Sequence, residues 1–365
     1  MISRFIVEVR LLSIIVCFGL FAGNLSAQSS AAIVSTTNAF LNTLSAEELK
    51  TINHSFTDTL RRKWSNLPVG LVPRPGVAYG SLSDKSRIAF HEVLTSILSS
   101  QGYLKLTSIM QLDDILNTLY QQAFDRGDIN QETFGRIKNL NWSHDNFFIS
   151  FWGKPANTGS WGINFGGHHI ALNLTANGDA ISVSPLFIGT DPAQVKSSKY
   201  AGWRILSKEE DYGFMLLGFL SEGQKAKAII NKDVPKDIIT NPMSSQRIDN
   251  YYGISAKEFN QDQLEALKIL IREYTHNFDH HIAHRLYDKI IKSGLDKVYF
   301  AWIGGQERNK PHYYILNGPD FLIEYDNVGF QNDGNHIHLI LREKANDFGE
   351  DILKLHYQTS EHHKK

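Results

Sequence analysis

The sequence predicts an α+β fold in which helices cover one antiparallel or mixed sheet. The mature N-terminal region, to about residue 140, is dominated by apolar positions at helical spacing. Two later stretches, 147–190 and 298–342, consist of short aromatic and β-branched runs separated by Gly, Asn and Pro, a pattern typical of strands and turns. Helical spacing returns between them. We therefore expect the two strand-rich stretches to share a sheet that the helices cover.

Capping residues and apolar spacing predict the individual helices. Ser45 opens a helix with capping-box character, whose apolar positions continue to Leu60. A second helix starts near Ser83 and a third near Leu106. Further on, helices are expected at 208–230 and 261–292, and a short last helix follows Asn346-Asp347.

The helix predicted over 261–292 carries four histidines. His276, His280 and His284 recur one turn apart and fall on the polar side, so we expect them to be solvated. His281 falls beside the apolar stripe instead. We expect it to be substantially buried, and either hydrogen-bonded or directed toward the surface that carries Glu324.

Turn residues divide the strand-rich stretches into separate strands. Asn177-Gly178 between two apolar runs predicts a β-hairpin. In the last third, four strand candidates with glycine- and asparagine-rich connections predict a β-meander: 298–303, 313–316, 321–326 and 335–341.

The first 27 residues have the pattern of a secretory signal peptide. Arg4 and Arg10 precede an apolar run over 11–22, and Leu25-Ser26-Ala27 offers a small-residue cleavage site. The apolar run is short for a transmembrane helix, although a membrane anchor that is never cleaved is the alternative. We expect an exported chain, periplasmic or extracellular, whose residues 28–365 form a single domain without a membrane span.

Composition excludes two classes of function from the mature chain. Cys17 is the sole cysteine, so its removal with the signal peptide excludes thiol catalysis and thiolate metal ligands. Removing residues 1–27 takes away two arginines and one glutamate, which changes the formal net charge from −1 to −2. A nearly neutral chain lacks the basic footprint of a nucleic-acid-binding protein.

A strand containing His336 and His338 is the first candidate metal site. Alternate residues of a strand share a face, so both imidazoles would project together. Imidazole is a common ligand for zinc, iron and copper. Glu324 would add a carboxylate if the register placed it opposite His338, with Asp326 on the same face as the alternate. The competing interpretation is two imidazoles that are merely hydrogen-bonded on the sheet.

His168 and His169 form the second candidate pair. They follow Gly166-Gly167, which permits close backbone approach. Adjacent strand residues face opposite ways, so one of the two histidines is expected to join the other pair. If the pairs form one centre, a nitrogen of one should lie within roughly 5 Å of the other, because metal–nitrogen bonds are about 2.0–2.1 Å long. His281 and His312 are two further histidines expected to converge.

These segments in this order resemble a family of mostly exported proteins catalogued as a domain of unknown function, number thirty-five hundred. The resemblance spans nearly the whole mature chain, and the residues that carry it include Trp64, Pro68, Gly102-Tyr103, Phe151-Trp152-Gly153, Trp161-Gly162, Gly166-Gly167-His168-His169, Pro185, Phe187, Gly189, Pro192, Phe300, Trp302, Gly304, His312-Tyr313-Tyr314, 321–327, Asn335-His336-Ile337-His338 and 346–349. Relatives often carry an aromatic-Arg pair after the His-x-His strand. This chain has Leu341 before Arg342, so the arginine is retained without the aromatic partner. The resemblance implies export and one fold unit, and no settled activity.

Together these features predict an exported metal-dependent enzyme, hydrolytic or oxidative. We expect a divalent transition metal (zinc, iron or copper) on His336, His338 and His168 or His169. Glu324 would be a fourth ligand or the base that activates metal-bound water, and Arg342 is a second candidate catalytic residue. The substrate would be a small or polymeric molecule outside the cytoplasm. The alternatives are a non-catalytic ligand-binding protein and a structural protein whose histidines bind no metal.

Overall fold

The computed structural model describes residues 30–244, 246–329 and 332–359. The predicted signal peptide, residues 1–27, lies outside the described residues. Within them, no helix combines the length and the apolar character needed to cross a membrane.

The fold is α+β, as predicted, and is built on one mixed sheet of 13 strands. The strands are β1 (Asn53–His54), β2 (Val77–Ala78), β3 (Phe148–Trp152), β4 (Ser160–Gly167), β5 (Ile170–Asn177), β6 (Ala180–Ser182), β7 (Leu186–Thr190), β8 (Ile229–Asn231), β9 (Ile254–Ser255), β10 (Tyr299–Gly304), β11 (His312–Asn317), β12 (Phe321–Asn327) and β13 (Ile337–Glu343). Their main order is β1-β3-β4-β5-β7-β13-β12-β11-β10-β8, with β2, β6 and β9 on the flanks. The β1–β3 and β8–β10 pairs are parallel.

The α-helices lie before, between and after the two strand-rich stretches. They are α1 (described over 30–41), α2 (Ala46–Ile52), α3 (Asp84–Ile97), α4 (Ser100–Asp125), α5 (Gln131–Lys138), α6 (Ser207–Phe219), α7 (Glu222–Ala228), α8 (Gln261–Thr275), α9 (His280–Ser293) and α10 (Glu350–Thr359).

The two strand-rich stretches meet where β7 pairs with β13. Ile337 lies opposite Thr190 and Leu341 opposite Leu186 in an antiparallel register. The predicted sharing of one sheet is therefore confirmed, as are the meander β10–β13 and the β5–β6 hairpin, whose turn begins at Gly178.

The sheet buries both of its faces. One face packs on the helices in the main core, where Leu339 of β13 and Tyr325 of β12 are buried with Leu270 of α8. The other face carries His338 and Ile340. Irregular segments around Trp64 and Ile238 cover it, so loops rather than helices enclose the surface where the predicted site lies.

The helix predicted over 261–292 is two helices, so the prediction of one continuous helix is wrong. His276 ends α8, and Asp279 caps α9 by accepting a hydrogen bond from the His281 backbone N–H. The residues between pair with the start of α4: the Ser99 N–H donates to the Asn277 carbonyl at 3.1 Å. The Asn277 backbone can lie against α4 because residue 102 is a glycine. A Cβ on Gly102 would lie 1.9 Å from the Asn277 carbonyl oxygen.

The N-terminal helix predicted from Ser45 to Leu60 is also shorter than expected. The capping box forms as predicted, with Ser45 and Glu48 bonded to each other's backbone N–H groups. The helix ends at Ile52, because the next two residues pair with β3 as strand β1. Sheet pairing outweighs the helical spacing there.

A buried ion cluster joins three of the covering helices. Lys105 of α4 donates to Glu209 of α6 at 2.7 Å and to Glu273 of α8 at 2.6 Å, and also to Asn277 at 3.0 Å. Burial opposes the charge on the ammonium group, but the two carboxylates outweigh it and raise the pKa of Lys105. The cluster fixes how α4, α6 and α8 pack.

Replacing Lys105 with Met should destabilise the fold by about 3–5 kcal/mol, because two buried glutamates would lose their shared cation. Urea denaturation of the purified protein measures this. Lys268→Ala removes a lysine that pairs with Glu265 on the partly exposed surface of α8, and should change the free energy of unfolding by less than about 1 kcal/mol. Equal effects of the two substitutions would contradict the role given to the cluster.

Candidate metal centre

Three imidazoles converge on one point. The Nε2 atoms of His169 and His336 are 2.8 Å apart, those of His336 and His338 3.0 Å, and those of His338 and His169 3.2 Å. The expectation that the two histidine pairs approach within roughly 5 Å is therefore confirmed. Three nitrogens around a tetrahedral metal with bonds of about 2.0–2.1 Å would lie about 3.3–3.4 Å apart. A slight opening of the triangle would accommodate a metal ion.

The β4–β5 turn and strand β13 position these side chains. His169 lies in the two-residue turn between β4 and β5, His338 on β13, and His336 just before β13. The expectation that His168 and His169 continue a strand is wrong, because the turn gives His169 a left-handed φ of 63°. Its carbonyl accepts a hydrogen bond from the Gly189 N–H of β7 at 2.9 Å, which holds the turn beside β13.

Gly189 makes room for the centre. It pairs with His338 across the β7–β13 register. A Cβ at this position would lie 3.0 Å from Cδ2 of His169, 3.1 Å from Cδ2 of His338 and 2.6 Å from the carbonyl oxygen of Ile337. Both imidazoles therefore pack over a position where a side chain would displace them.

Carboxylates face the outer nitrogens of two of the imidazoles. Nδ1 of His338 lies 2.8 Å from Oδ1 of Asp237, and Nδ1 of His336 lies 3.7 Å from Oδ2 of Asp191. A carboxylate that accepts the Nδ1 proton leaves the Nε2 lone pair free for a metal and fixes the ring orientation. Asp237 is itself held by the Asn66 amide, which donates to its other oxygen at 3.2 Å.

The protonation of the three imidazoles is unequal. Burial is the first cause that lowers the pKa of His169 and of His336 well below the ordinary value, and the neighbouring histidines add to it. Burial also lowers the pKa of His338, but Asp326 and Asp237 outweigh it and raise the net value. Two neutral imidazoles thus face a third that readily binds a cation.

His168 is buried beside the centre without joining it. Its Nδ1 bonds to Oδ1 of Asp113 on α4 at 2.7 Å. Its ring stacks between that of Trp142, at 5.8 Å, and that of His169, at 3.7 Å between centroids. Of the two histidines that the sequence left open, His169 reaches the other pair and His168 supports it.

Glu324 does not lie opposite His338. The register pairs Asp326 with His338 and Glu324 with Ile340, so the alternate carboxylate takes the position considered for Glu324. The Glu324 carboxylate instead accepts hydrogen bonds from the Tyr313 and Thr240 hydroxyls and from the Ile239 N–H.

Arg342 contributes to the same anchoring network. It donates to the Thr240 hydroxyl at 3.1 Å and the Thr240 carbonyl at 2.8 Å, and it pairs with Asp347. The two residues predicted as catalytic therefore hold the segment that follows Asp237.

Other histidines of the sequence lie away from the centre. His312 is buried and stacks on Trp302, and burial lowers its pKa. His281 is only partly buried, because Ile282, Leu286 and their neighbours form the buried stripe of α9. Its predicted burial is therefore wrong.

Helix α9 also lies away from the centre. Arg285 of α9 contacts Glu343, which alternation places on the face of β13 opposite His338. The predicted polar ridge is confirmed for His280 and His284, which are exposed with ring centroids 4.2 Å apart, whereas His276 is partly buried at the end of α8.

A cavity of about 360 Å³ adjoins the centre. Leu116, Leu119 and Tyr120 of α4 form an apolar wall, while Asp191 and His336 line it next to the imidazoles. Burial raises the pKa of Asp191 to about 6, although the charges of His168 and His338 oppose the shift. His336 thus belongs both to the imidazole triangle and to the cavity wall.

Sequence reasoning missed three residues of this site. Asp237 lies in a loop with no recognisable motif, so only the fold brings it to His338. Gly189 and Asp191 lie in the segment with Phe187 and Pro192 that carries part of the family resemblance, but nothing in that spacing indicated a role. The signals available in the sequence were that Gly189 and Asp191 lie at the end of a predicted strand.

The comparison with known protein families agrees with the resemblance noted above. A family model described as "Protein of unknown function (DUF3500)" matches residues 26–350. The chain belongs to this family. The matched range contains every residue of the candidate centre. No curated protein and no solved structure matches the chain.

Gly189→Ala should weaken zinc binding by about 10–100-fold, the range typical of changes that disturb the orientation of metal ligands. The added methyl group would press on both imidazoles and on the β13 backbone. Competition with a chromophoric chelator measures the affinity. Gly218→Ala is the matched control, because a Cβ there meets nothing within 4 Å. It should leave zinc affinity unchanged and stabilise α6 by about 0.5–1 kcal/mol. Unchanged affinity in Gly189→Ala would show that this glycine does not make room for the ligands.

Proposed function

We propose that this chain is an exported metal-dependent enzyme that hydrolyses a small substrate at a trihistidine centre. His169, His336 and His338 would hold one divalent transition metal, with zinc the first candidate. The observation that carries the proposal is the convergence of three Nε2 atoms within 2.8–3.2 Å of one another.

A purely hydrogen-bonded role for the three histidines explains this arrangement poorly. Three imidazole nitrogens that face each other need at least one shared proton, and two of the rings have pKa values well below the ordinary value. Burying such a cluster without a bound cation costs stability, because polar groups lose hydration without full compensation. A metal ion would satisfy all three lone pairs together.

The ligand set favours hydrolysis over oxygen chemistry. Non-haem iron oxygenases typically use two histidines and one carboxylate as direct ligands. Here Asp237 and Asp191 face the outer nitrogens, so three neutral imidazoles would leave the full charge of the metal on its open position. Three histidines and one open position are typical of catalytic zinc, which lowers the pKa of bound water to about 7.

The adjoining cavity supports a small substrate, or one unit of a polymer. Its volume of about 360 Å³ falls within the range of small-molecule sites. Its apolar wall on α4 would bind the body of the substrate, and His336 connects the cavity to the centre. Asp191 lies where it could accept a hydrogen bond from the substrate or from attacking water.

Metal content and hydrolysis test the function together. Protein purified without a histidine tag should contain at least one equivalent of a transition metal by elemental analysis, and His336→Ala should contain one equivalent less. The metal-loaded protein should hydrolyse at least one member of a panel of ester, lactone, amide and phosphoester substrates. His336→Ala should reduce that rate at least 100-fold.

His284→Ala is the control for this experiment, since it removes an exposed imidazole of α9. It should change neither metal content nor rate. Bound metal without hydrolysis of any substrate would favour a metal- or ligand-binding protein over an enzyme. A folded protein that binds no added zinc would refute the metal centre itself.

The signal-peptide pattern supports the location proposed for this enzyme. Cleavage after Ala27 would give a mature chain that starts at Gln28. N-terminal sequencing of the periplasmic or extracellular fraction should find this terminus. A full-length chain recovered from the membrane would instead support the uncleaved anchor.

A further inference from the structure

Two carboxylates face Nδ1 of His338, although one is enough to orient the ring. Asp237 alone accepts the Nδ1 proton at 2.8 Å. Asp326, on the neighbouring strand, places its Oδ2 3.8 Å from the same nitrogen. Ligand atoms of these three side chains all lie within 4.8 Å of one another.

One oxygen of the Asp326 carboxylate, Oδ2, lacks the partner that its burial demands. Its side chain is only 2% exposed, and Oδ2 has no hydrogen-bond partner within the described residues. Glu324, its neighbour on the same face of β12, accepts hydrogen bonds from two hydroxyls and a backbone N–H. An oxygen left without a donor inside a protein is costly, so it points to a group that the polypeptide does not supply.

We infer that His338 Nδ1, Asp237 and Asp326 form a second divalent-metal site, joined to the trihistidine centre through the imidazole ring of His338. One nitrogen and two carboxylate oxygens suit zinc or copper. Two carboxylates would neutralise the second ion, whereas two neutral imidazoles and the shared ring of His338 would bind the first. Asp237 is 30% exposed, so an ion can reach this site from solvent on the side away from the buried His169.

Binding at this site has a defined proton balance. The Nδ1–H bond of His338 breaks, a nitrogen–metal bond forms, and the proton leaves to solvent. His338 then bridges two metals as an imidazolate, which places them roughly 6 Å apart with bonds of about 2.0–2.1 Å on either side of the ring. Asn66 still donates to the other oxygen of Asp237 and keeps it in place.

Zinc stoichiometry tests this inference, which rests on the proposed trihistidine centre only for the bridge. Metal-free wild-type protein titrated with zinc should bind two equivalents, and Asp326→Asn should bind one. Calorimetry in buffers of different ionisation enthalpy should detect at least one additional proton released with the second zinc, that of His338 Nδ1. Asp249→Asn, an exposed carboxylate, is the matched control and should still bind two.

Two further variants separate the sites. His336→Ala should keep the second site and bind one zinc, and His338→Ala should lose both. If Asp326→Asn does not fold, Asp237→Asn replaces it, because that side chain is less buried. Wild-type binding of one zinc that is unaffected by either aspartate substitution would overturn the inference and leave the trihistidine proposal standing. One zinc that is lost in Asp326→Asn and kept in His336→Ala would support the second site and overturn the first.

Copper provides a readout independent of affinity. Two Cu²⁺ ions that share an imidazolate couple magnetically, so the copper-loaded wild-type protein should show a reduced electron paramagnetic resonance intensity per copper. Asp326→Asn should restore the full signal of an isolated ion. Full intensity in the wild-type protein at two equivalents would rule out the bridge.

Discussion

The pairing of β7 with β13 is the constraint on which the rest of the site depends. These strands join the two halves of the sheet, which come from regions of the chain more than a hundred residues apart. The register places Gly189 opposite His338, and Gly189 also binds the turn that carries His169. A shift of one residue would move His338 to the helix-covered face and separate the three imidazoles.

Much of this fold follows from local patterns in the sequence. The meander β10–β13 and the β5–β6 hairpin were predictable because glycine and asparagine turns separate short β-branched and aromatic runs. The break between α8 and α9 was not, since it depends on backbone bonds between Asn277 and the start of α4. The end of α2 likewise depends on pairing with β3, a strand about a hundred residues later. At both helix boundaries, long-range backbone pairing outweighs the local helical spacing.

Part of the candidate site was likewise predictable from local sequence patterns, and part depends on the fold. The His336-x-His338 spacing and strand alternation predicted that two imidazoles share a face, and the glycines before His168 indicated a close approach. Which histidine of that pair reaches the centre depends on the left-handed φ of His169 in a tight turn. The role of Glu324 depended on a register that the sequence does not contain. Asp237 reaches the centre because Glu324, Tyr313 and Arg342 anchor the segment that follows it and Asn66 holds its carboxylate.

Carboxylates thus surround the imidazoles without entering their inner triangle. This arrangement fixes ring orientation from outside and leaves the Nε2 atoms directed toward one another. X-ray absorption spectroscopy at the zinc edge of protein loaded with one equivalent of zinc tests the trihistidine centre most closely. Such a centre should show three imidazole nitrogens at about 2.0–2.1 Å, with one further light atom at a similar distance. A first shell without the outer-ring scattering of imidazole would contradict it.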